Sequence, residues 1–270
     1  MHSVAYEQLA RVEDRLWWHE ARRELARSLL RRLTPPVSEA ALDVGCGTGC
    51  SLGLLSEFVP RVMGLDLSPH ALQFACKKHP YAELTLGDAN ALDRTFAPET
   101  FDIVTFFNVL YHRWIPDDPQ ALRQAWRVLK PGGVILVTDA AFSCLYRRHD
   151  RVGMGKRRYT LPTMRNMLEQ VGFRWITGTY FNAVAFPLVW MQARWDSFFA
   201  RHEATTPLAE LSMPPRPINE VLKSLMALER TIIRIVGKLP WGVTLLCAAR
   251  KTTCRTIVSH RADDHDGIVP

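Results

Sequence analysis

Three closely spaced glycines directly after a short apolar strand pattern constrain the fold of this chain most. Residues 41–44 are apolar apart from Asp43, and glycines follow at positions 45, 47 and 49. A strand, a glycine loop and a helix in this order let backbone N–H groups approach a ligand and point a helix N-terminus at it. A dinucleotide-binding loop would carry its third glycine at position 50, where this chain has a cysteine. The spacing therefore disfavours a nicotinamide cofactor.

Strand and helix patterns alternate five times over about 100 residues around this loop. The pattern predicts an α/β fold with a doubly wound, mostly parallel, Rossmann-like sheet and right-handed crossovers. Two later strands would bring the sheet to seven. The predicted strands are 41–44, 62–66, 83–88, 101–110, 134–139, 173–181 and 242–250.

The segments outside these strands are predicted to form a cap, a lid and a tail around the cofactor-binding domain. Residues 1–36 are expected to form an N-terminal helical cap that ends at Pro35 and Pro36, and 252–270 a disordered tail. Residues 181–240 predict a helical lid inserted before the last strand. Its long helix, near 218–237, has an apolar face that we expect to pack on the core. The remaining segments, 37–180 and 241–251, would form the cofactor-binding domain.

Charge and cysteine content narrow the function only slightly. The net charge is +7 and the pI is about 9.3, which is compatible with nucleic acid, a membrane surface or an acidic small molecule as partner. Six cysteines occur without a Cys-x-x-Cys pair or a matching histidine cluster, so no metal site is predicted. The first 20 residues lack an apolar leader and the longest apolar run is too short to cross a bilayer, so we expect a cytoplasmic protein.

Four ordered motifs resemble those of the class I S-adenosylmethionine-dependent methyltransferases. They lie at residues 43–49, 64–68, 87–89 and 128–133, in the order and spacing of that family. The resemblance covers about residues 40–140. It implies the methyltransferase fold, S-adenosylmethionine as cofactor and methyl transfer as the activity.

The same resemblance implies roles for individual residues. Asp66 would bind the ribose, Leu67 would pack on the adenine, and Asp88 would accept a hydrogen bond from the adenine amino group. Asp88 could instead only cap the next helix, and Asp43 could contact the cofactor or only fix the loop. The full set implied to bind the cofactor is Asp43, Gly45, Cys46, Gly47, Gly49, Asp66, Leu67, Asp88, Ala89 and Asn108.

The acceptor is expected beside the segment that follows the fourth strand, because ligands of such folds bind at the carboxyl edge of the sheet. His112 is the candidate catalytic base, since an unperturbed imidazole titrates near neutrality; a packing histidine is the alternative. Tyr111 and Trp114 could form the walls of the acceptor pocket or pack in the core. A lid over the cofactor is predicted at the N-terminal pair Trp17 and Trp18, which lies beside His19 and two arginines. At least one of the two indoles is expected to line the site.

A small organic acceptor, methylated on oxygen or nitrogen, is the class that the sequence favours. Methyltransferases that act on bases in nucleic acid commonly have two prolines directly after the position that corresponds to Asn108. This chain has Val109 and Leu110 there, so a nucleic-acid acceptor is disfavoured. Two alternatives stay open. The chain could methylate a lipid-like acceptor at a membrane surface, or it could be a non-catalytic subunit that binds the cofactor for a partner enzyme.

Overall fold

Seven strands form one sheet in the computed structural model, which describes residues 3–199 and 213–252. The sheet order is β3-β2-β1-β4-β5-β7-β6. Strands β1 to β5 are parallel, and β7 pairs antiparallel with both β5 and β6. The predicted seven-stranded, mostly parallel sheet is therefore confirmed. The strands are β1 Ala40–Val44, β2 Arg61–Asp66, β3 Glu83–Leu86, β4 Phe101–Phe107, β5 Leu129–Ala140, β6 Phe173–Phe181 and β7 Thr244–Lys251.

Helices cover both faces of this sheet. Three of them begin at side-chain caps: Ser68, Asp117 and Thr160 each accept a hydrogen bond from a backbone N–H of the first turn. Each of these helices also has a proline at one of its first two positions, where no donor is lost. The helices are α1 Ser3–Val12, α2 Trp17–Leu33, α3 Leu52–Leu55, α4 Pro69–Lys78, α5 Asp118–Val128, α6 Arg148–Val152, α7 Leu161–Val171, α8 Phe186–Phe199 and α9 Arg216–Val236.

Apolar side chains fill the space between the sheet and each helical layer. Every residue of β1 and β4 is buried, as expected for central parallel strands covered on both faces. On one face β4 contributes Phe106 to a cluster with residues of α5 and α7. On the other face it contributes Ile103 to a cluster with residues of α2 and α3. The two clusters fix the sheet between the layers, so the carboxyl ends of its strands form a stable edge.

The N-terminal cap consists of two helices, α1 and α2. The basic stretch 141–159 contains a short 3₁₀ turn and α6. Within it, the side chains of Arg158 and Asp150 are each 3% exposed and form an ion pair of 2.9 Å. Arg158 therefore stabilises the fold and is not part of a solvated basic face.

The insertion (residues 182–243, between β6 and β7) contains α8 and α9. The buried residues of α9 are Asn219, Met226 and Glu229, and the helix packs on α2. Its apolar face, which was expected to pack on the core, is instead exposed to solvent, since Val221 is 60% and Ile235 79% exposed. None of the helices within residues 3–199 and 213–252 has both the length and the apolar content needed to cross a membrane. The predicted tail, apart from Thr252, lies outside the described residues.

Candidate active site

A cavity of about 540 Å³ lies at the carboxyl ends of β1, β2 and β4. One side is formed by the sheet edge and its loops, which we call the sheet wall: residues 43, 45–48, 50–51, 65–69, 87, 89 and 107–109. The opposite side, the helical wall, is formed by α1, α2 and the segments around 111–115 and 149–153. Most of the predicted site residues line this cavity, namely Asp43, Gly45, Cys46, Gly47, Asp66, Leu67, Ala89, Asn108, Trp18, Tyr111, His112 and Trp114.

The glycine loop of the sheet wall is held by its backbone. Gly45 has φ 71° and Gly47 has φ 55°, in the left-handed region that favours glycine. The N–H groups of Gly45 and Cys46 donate to the Leu65 carbonyl at 2.7 and 3.0 Å. A Cβ on Gly45 would lie 2.6 Å from a methyl carbon of Val109. The first glycine is therefore required both by the turn and by the close approach of the segment after β4.

Asp66, at the end of β2, is fixed by two backbone donors. One oxygen of its carboxylate accepts from Gly47 N and the other from Ser68 N, both at 2.8 Å. Burial raises the pKa of Asp66, and these N–H donors oppose that rise. Each carboxylate oxygen retains a lone pair, so this side chain can still accept hydrogen bonds from a ligand in the cavity.

Asp43 lies deeper in the same wall and is 2% exposed. It accepts a hydrogen bond from Thr105 Oγ at 2.6 Å. Burial raises its pKa to about 7, an effect that this hydrogen bond and the nearby Arg22 oppose. The acid is therefore in place both to fix the loop and to respond to a charged ligand.

Three predicted site residues do not line the cavity. Asp88 caps the 3₁₀ helix Ala89–Arg94 by accepting from Asn90 N at 2.8 Å. Gly49 has φ 92° and packs against α4, where an added Cβ would lie 3.2 Å from Ala75. Trp17 N donates to the side chain of Asn219 in α9. In this geometry Asp88 has the capping role that the sequence allowed as its alternative.

His19 and Arg22 of α2 form the polar part of the helical wall. Both are 5% exposed, and neither ring nitrogen of His19 nor Arg22 Nε has a hydrogen-bond partner among the described residues. Burial and the charge of Arg22 lower the pKa of His19 well below its usual value. The Arg22 guanidinium lies 5.4 Å from the centre of the Phe107 ring. A buried polar group without a partner is unfavourable by about 1–3 kcal/mol, so these groups are suited to a polar ligand.

The sequence had identified His19 and Arg22 only as neighbours of the tryptophan pair. Their spacing is the signal that could have found them, because Trp18 and Arg22 are four residues apart and share one helix face. Trp18 stacks on His19 with ring centres 3.7 Å apart. Other lining residues had no signal in the sequence; they include Tyr6, Glu13 and His149.

His112 lies in the cavity beside Tyr111, with ring centres 4.0 Å apart. Its Nδ1 is buried and has no partner among the described residues. Burial lowers the pKa of His112 to about 4, so the ring is neutral near pH 7 and a weaker base than an unperturbed imidazole. Tyr111 N donates to the buried Asp139, whose pKa burial raises to about 8. Asn108, with φ 61°, ends β4 at the cavity.

Glu13, Asp14 and Cys50 bring their potential metal-ligand atoms together at the edge of the cavity. Cations of the protein already contact all three side chains. Lys78 Nζ lies 2.9 Å from Glu13 and 2.5 Å from Asp14, and Arg23 Nη1 donates to the Cys50 sulfur at 2.8 Å. These contacts make the cluster part of the packing between α1, α2 and α4.

Part of this chain is similar in sequence to known methyltransferases. The profile of the methyltransferase-domain family matches residues 42–137. Demethylmenaquinone methyltransferase of Lysinibacillus sphaericus is 39% identical over 107 residues, which are 38% of this chain and 45% of that protein. Trans-aconitate 2-methyltransferase of Methylobacterium radiotolerans is 33% identical over 122 residues, 44% of this chain and 45% of that protein. The matched region thus spans less than half the length of each relative.

Solved structures with the same fold cover more of the chain. Phosphoethanolamine N-methyltransferase 2 of Haemonchus contortus, solved with S-adenosylmethionine, has a TM-score of 0.54 at 19% identity and covers 84% of this chain and 52% of its own. An S-adenosylmethionine-dependent methyltransferase of Mesorhizobium loti has a TM-score of 0.55 at 19% identity, covering 83% of this chain and 96% of its own. At these identities the likeness concerns the fold. The profile match adds that residues 42–137 are similar in sequence to a methyltransferase domain.

Proposed function

We propose that this chain transfers a methyl group from S-adenosylmethionine to a small organic molecule, at an oxygen or a nitrogen atom. The observation that carries the proposal is the single cavity shared by the glycine loop and Asp66 on one wall and by His19, Arg22 and His112 on the other. Motifs of a cofactor site and unpartnered polar groups suited to a ligand therefore face the same space.

The chemical groups on the two walls fit this cofactor. Asp66 would accept hydrogen bonds from the ribose hydroxyls, because its carboxylate is fixed at the end of β2 with lone pairs to spare. Asp43, buried beside the glycine loop, suits the cationic amino group of the methionine part. Arg22 would pair with the methionine carboxylate, which would give its buried Nε the partner that it lacks.

The acceptor would lie between the cofactor and the helical wall. S-adenosylmethionine, when bound, supplies a methyl group attached to a sulfonium sulfur. That sulfur leaves as a neutral thioether, so no acid is needed to protonate it. The main task of the protein is to hold the acceptor in line, which can contribute about 7–11 kcal/mol to the barrier reduction. His112, neutral near pH 7 with a free Nδ1, would accept the proton of an acceptor O–H or N–H.

Aromatic side chains support a small organic acceptor. Trp18, Phe107, Tyr111 and Trp114 all line the cavity, and planar rings offer broad apolar contact at a small cost in conformational entropy. The relatives whose names state an acceptor include methyltransferases of demethylmenaquinone and of trans-aconitate, both small molecules.

Binding of S-adenosylmethionine, measured by titration calorimetry, tests the cofactor assignment. We expect Asp66→Ala to weaken binding at least about 100-fold, because the ribose loses its acceptor and the loop loses the Gly47 contact. Asp93→Ala, an exposed acid after β3, is the matched control and should bind normally. Unchanged affinity of Asp66→Ala would contradict the site. Asp88→Ala separates the two roles of that residue, since only an adenine contact would weaken binding strongly.

Methyl transfer to a panel of phenols, amines and carboxylates tests the activity. His112→Ala should turn over its best acceptor about 100-fold more slowly at pH 7.5 and bind S-adenosylmethionine as tightly as the unaltered protein. Full turnover in this variant would remove His112 as the base. If the unaltered protein binds the cofactor and methylates no member of the panel, the result would favour the alternative that the chain is a non-catalytic subunit.

A further inference from the structure

Exposed apolar side chains are concentrated in the insertion. Of the 19 large apolar residues that are exposed in the described chain, 14 lie between Val184 and Trp241. Single exposed apolar residues are ordinary on a protein surface, but a concentration of this kind marks an interaction site. The insertion therefore has an apolar surface of the kind that binds a partner.

In α8, four of these residues share one helix face. Leu188, Met191, Trp195 and Phe198 follow one another at intervals of three and four residues and are 64%, 60%, 66% and 75% exposed. Trp190, 44% exposed, lies beside this face, with the Arg194 guanidinium 5.9 Å from its ring centre. The helix thus combines exposed indoles with a cation.

In α9, a second face has the same character. Val221, Leu228, Ile232 and Ile235 recur at helical spacing and are 60%, 59%, 40% and 79% exposed. The opposite side of the helix packs on α2, so this face is not the one that joins α9 to the fold. We call the apolar faces of α8 and α9, with Trp190 and Trp241, the insertion surface.

In the described part of the insertion, 182–199 and 213–243, the exposed charged side chains without an ion pair are positive. Arg194, Arg216, Arg234 and Lys238 are exposed and have no ion pair with any residue in 3–199 or 213–252. The acids of these two segments are engaged: Glu220 contacts Lys223, Asp196 accepts from Arg148 N, and Glu229 accepts from two backbone N–H groups. A partner that is both apolar and negatively charged therefore complements this part of the surface.

We propose that the insertion surface docks on an anionic lipid bilayer. Tryptophans beside arginine and lysine on amphipathic helices match the boundary between headgroups and acyl chains. A second copy of the chain fits less well, because a symmetric dimer would bring the same positive residues of both copies together. This inference goes beyond the proposed function and is measured without any methyl acceptor.

Both helices are attached to the helical wall of the cavity. Asn219 of α9 accepts from Trp17 N at 3.2 Å and donates to the Arg15 carbonyl at 3.0 Å, at the start of α2. Asp196 of α8 accepts from Arg148 N at 2.8 Å, at the start of α6, and the next residue, His149, lines the cavity. Docking would therefore hold the cavity close to the bilayer and to apolar molecules dissolved in it.

Co-sedimentation of the full chain with vesicles tests the proposal. We expect binding to vesicles of 30% phosphatidylglycerol in phosphatidylcholine, and at least tenfold weaker binding to phosphatidylcholine alone. Binding should weaken as sodium chloride rises from 50 to 500 mM, because salt screens the arginines and lysines. Absence of binding to the anionic vesicles, or equal binding to both kinds, would overturn the proposal.

Paired variants assign the binding to the insertion surface. Ile232→Ser with Ile235→Ser, and Arg234→Gln with Lys238→Gln, should each lower vesicle affinity at least about fivefold. The matched controls are Val37→Ser with Leu86→Ser and Arg31→Gln with Lys77→Gln, which change exposed residues elsewhere and should bind normally. Since all eight side chains are exposed, thermal unfolding should be unaltered. Equal losses in the controls would overturn the assignment.

Light scattering on the same proteins separates a dimer from a docking surface. The proposal expects the same molecular mass for the unaltered protein and for Ile232→Ser with Ile235→Ser. A fall from dimer to monomer in that variant, with vesicle binding unchanged, would show that a second copy covers the surface and would overturn the proposal.

Discussion

The two walls of the cavity satisfy their polar groups in different ways. On the sheet wall, Asp66 accepts from two backbone N–H groups and Asp43 from Thr105. On the helical wall, His19 and Arg22 are equally buried, yet His19 and the Arg22 Nε have no partner among the described residues. The two acids of the sheet wall are therefore held by protein donors before a ligand arrives, although Thr48 Oγ1 in the same wall has no partner among the described residues. On the helical wall the main polar groups are ones that a ligand can satisfy.

This difference follows from how each wall is built. The sheet wall consists of loops at the ends of paired strands, where the register fixes each backbone group against its neighbour. The helical wall consists of side chains from helices that pack against the sheet edge, and their polar ends reach the cavity from outside the sheet. The sheet wall, whose backbone groups are fixed, suits recognition of a cofactor that does not vary. The helical wall suits a ligand that supplies hydrogen-bond partners to its side chains.

The largest expected effect concerns the helical wall. Arg22→Ala should weaken S-adenosylmethionine binding about 100-fold, because a buried charge-assisted hydrogen bond contributes up to about 3 kcal/mol. Calorimetry at constant salt measures it, with Arg31→Ala, an exposed arginine of the same helix, as control. Unchanged affinity would mean that Arg22 is not completed by the cofactor and would remove the proposed difference between the walls.

A smaller effect is expected on the stability of the sheet wall. Gly45→Ala should lower the free energy of unfolding by about 2 kcal/mol, from backbone strain and the contact with Val109. Gly132→Ala is the matched control, since its φ is 80° but no atom lies within 4 Å of the added Cβ, and it should lose only about 1 kcal/mol. Urea unfolding of the cofactor-free protein gives both values. Equal losses would show that Val109 yields and that the wall is less rigid than its contacts indicate.

The smallest effect is a pH dependence that originates at Asp43. Its pKa of about 7 leaves it mostly protonated at pH 6 and mostly ionised at pH 8. A cationic cofactor favours the ionised form, so affinity for S-adenosylmethionine should rise roughly tenfold from pH 6 to pH 8, with proton release on binding. Asp43→Asn should lose this dependence and Asp93→Asn should keep it. The same slope in Asp43→Asn would show that another group titrates and that Asp43 only fixes the loop.

Much of the sheet could be predicted because its signals are local. The apolar runs, the caps at Ser68 and Thr160, and the glycine loop each specify structure within a few residues. For α6 no such signal exists. This short helix depends on the buried ion pair of Asp150 with Arg158, and the sequence shows these residues only as members of a basic stretch. Its formation is decided by packing.

The site divides in the same manner. The motif residues Gly45, Gly47 and Asp66 could be found from their spacing, because the cofactor chemistry requires them next to particular strands. Arg22 belongs to a helix with several other arginines, and in the sequence only its spacing of four residues from Trp18 distinguishes it from the exposed Arg31. Its burial beside Phe107 becomes visible only in the structure. The exposed face of α9 is a similar case, since amphipathic spacing alone does not tell a core face from a docking face.

The pairing of Phe181 with Thr244 in the sheet has a consequence for how such a chain can diversify. The two residues lie opposite each other on the antiparallel strands β6 and β7. The chain between them is therefore one long hairpin connection. The entropy of closing such a connection changes by only about 0.6 kcal/mol for each doubling of its length. The segment between β6 and β7 can therefore be replaced by one of different length and surface while the pairing of these two strands is kept.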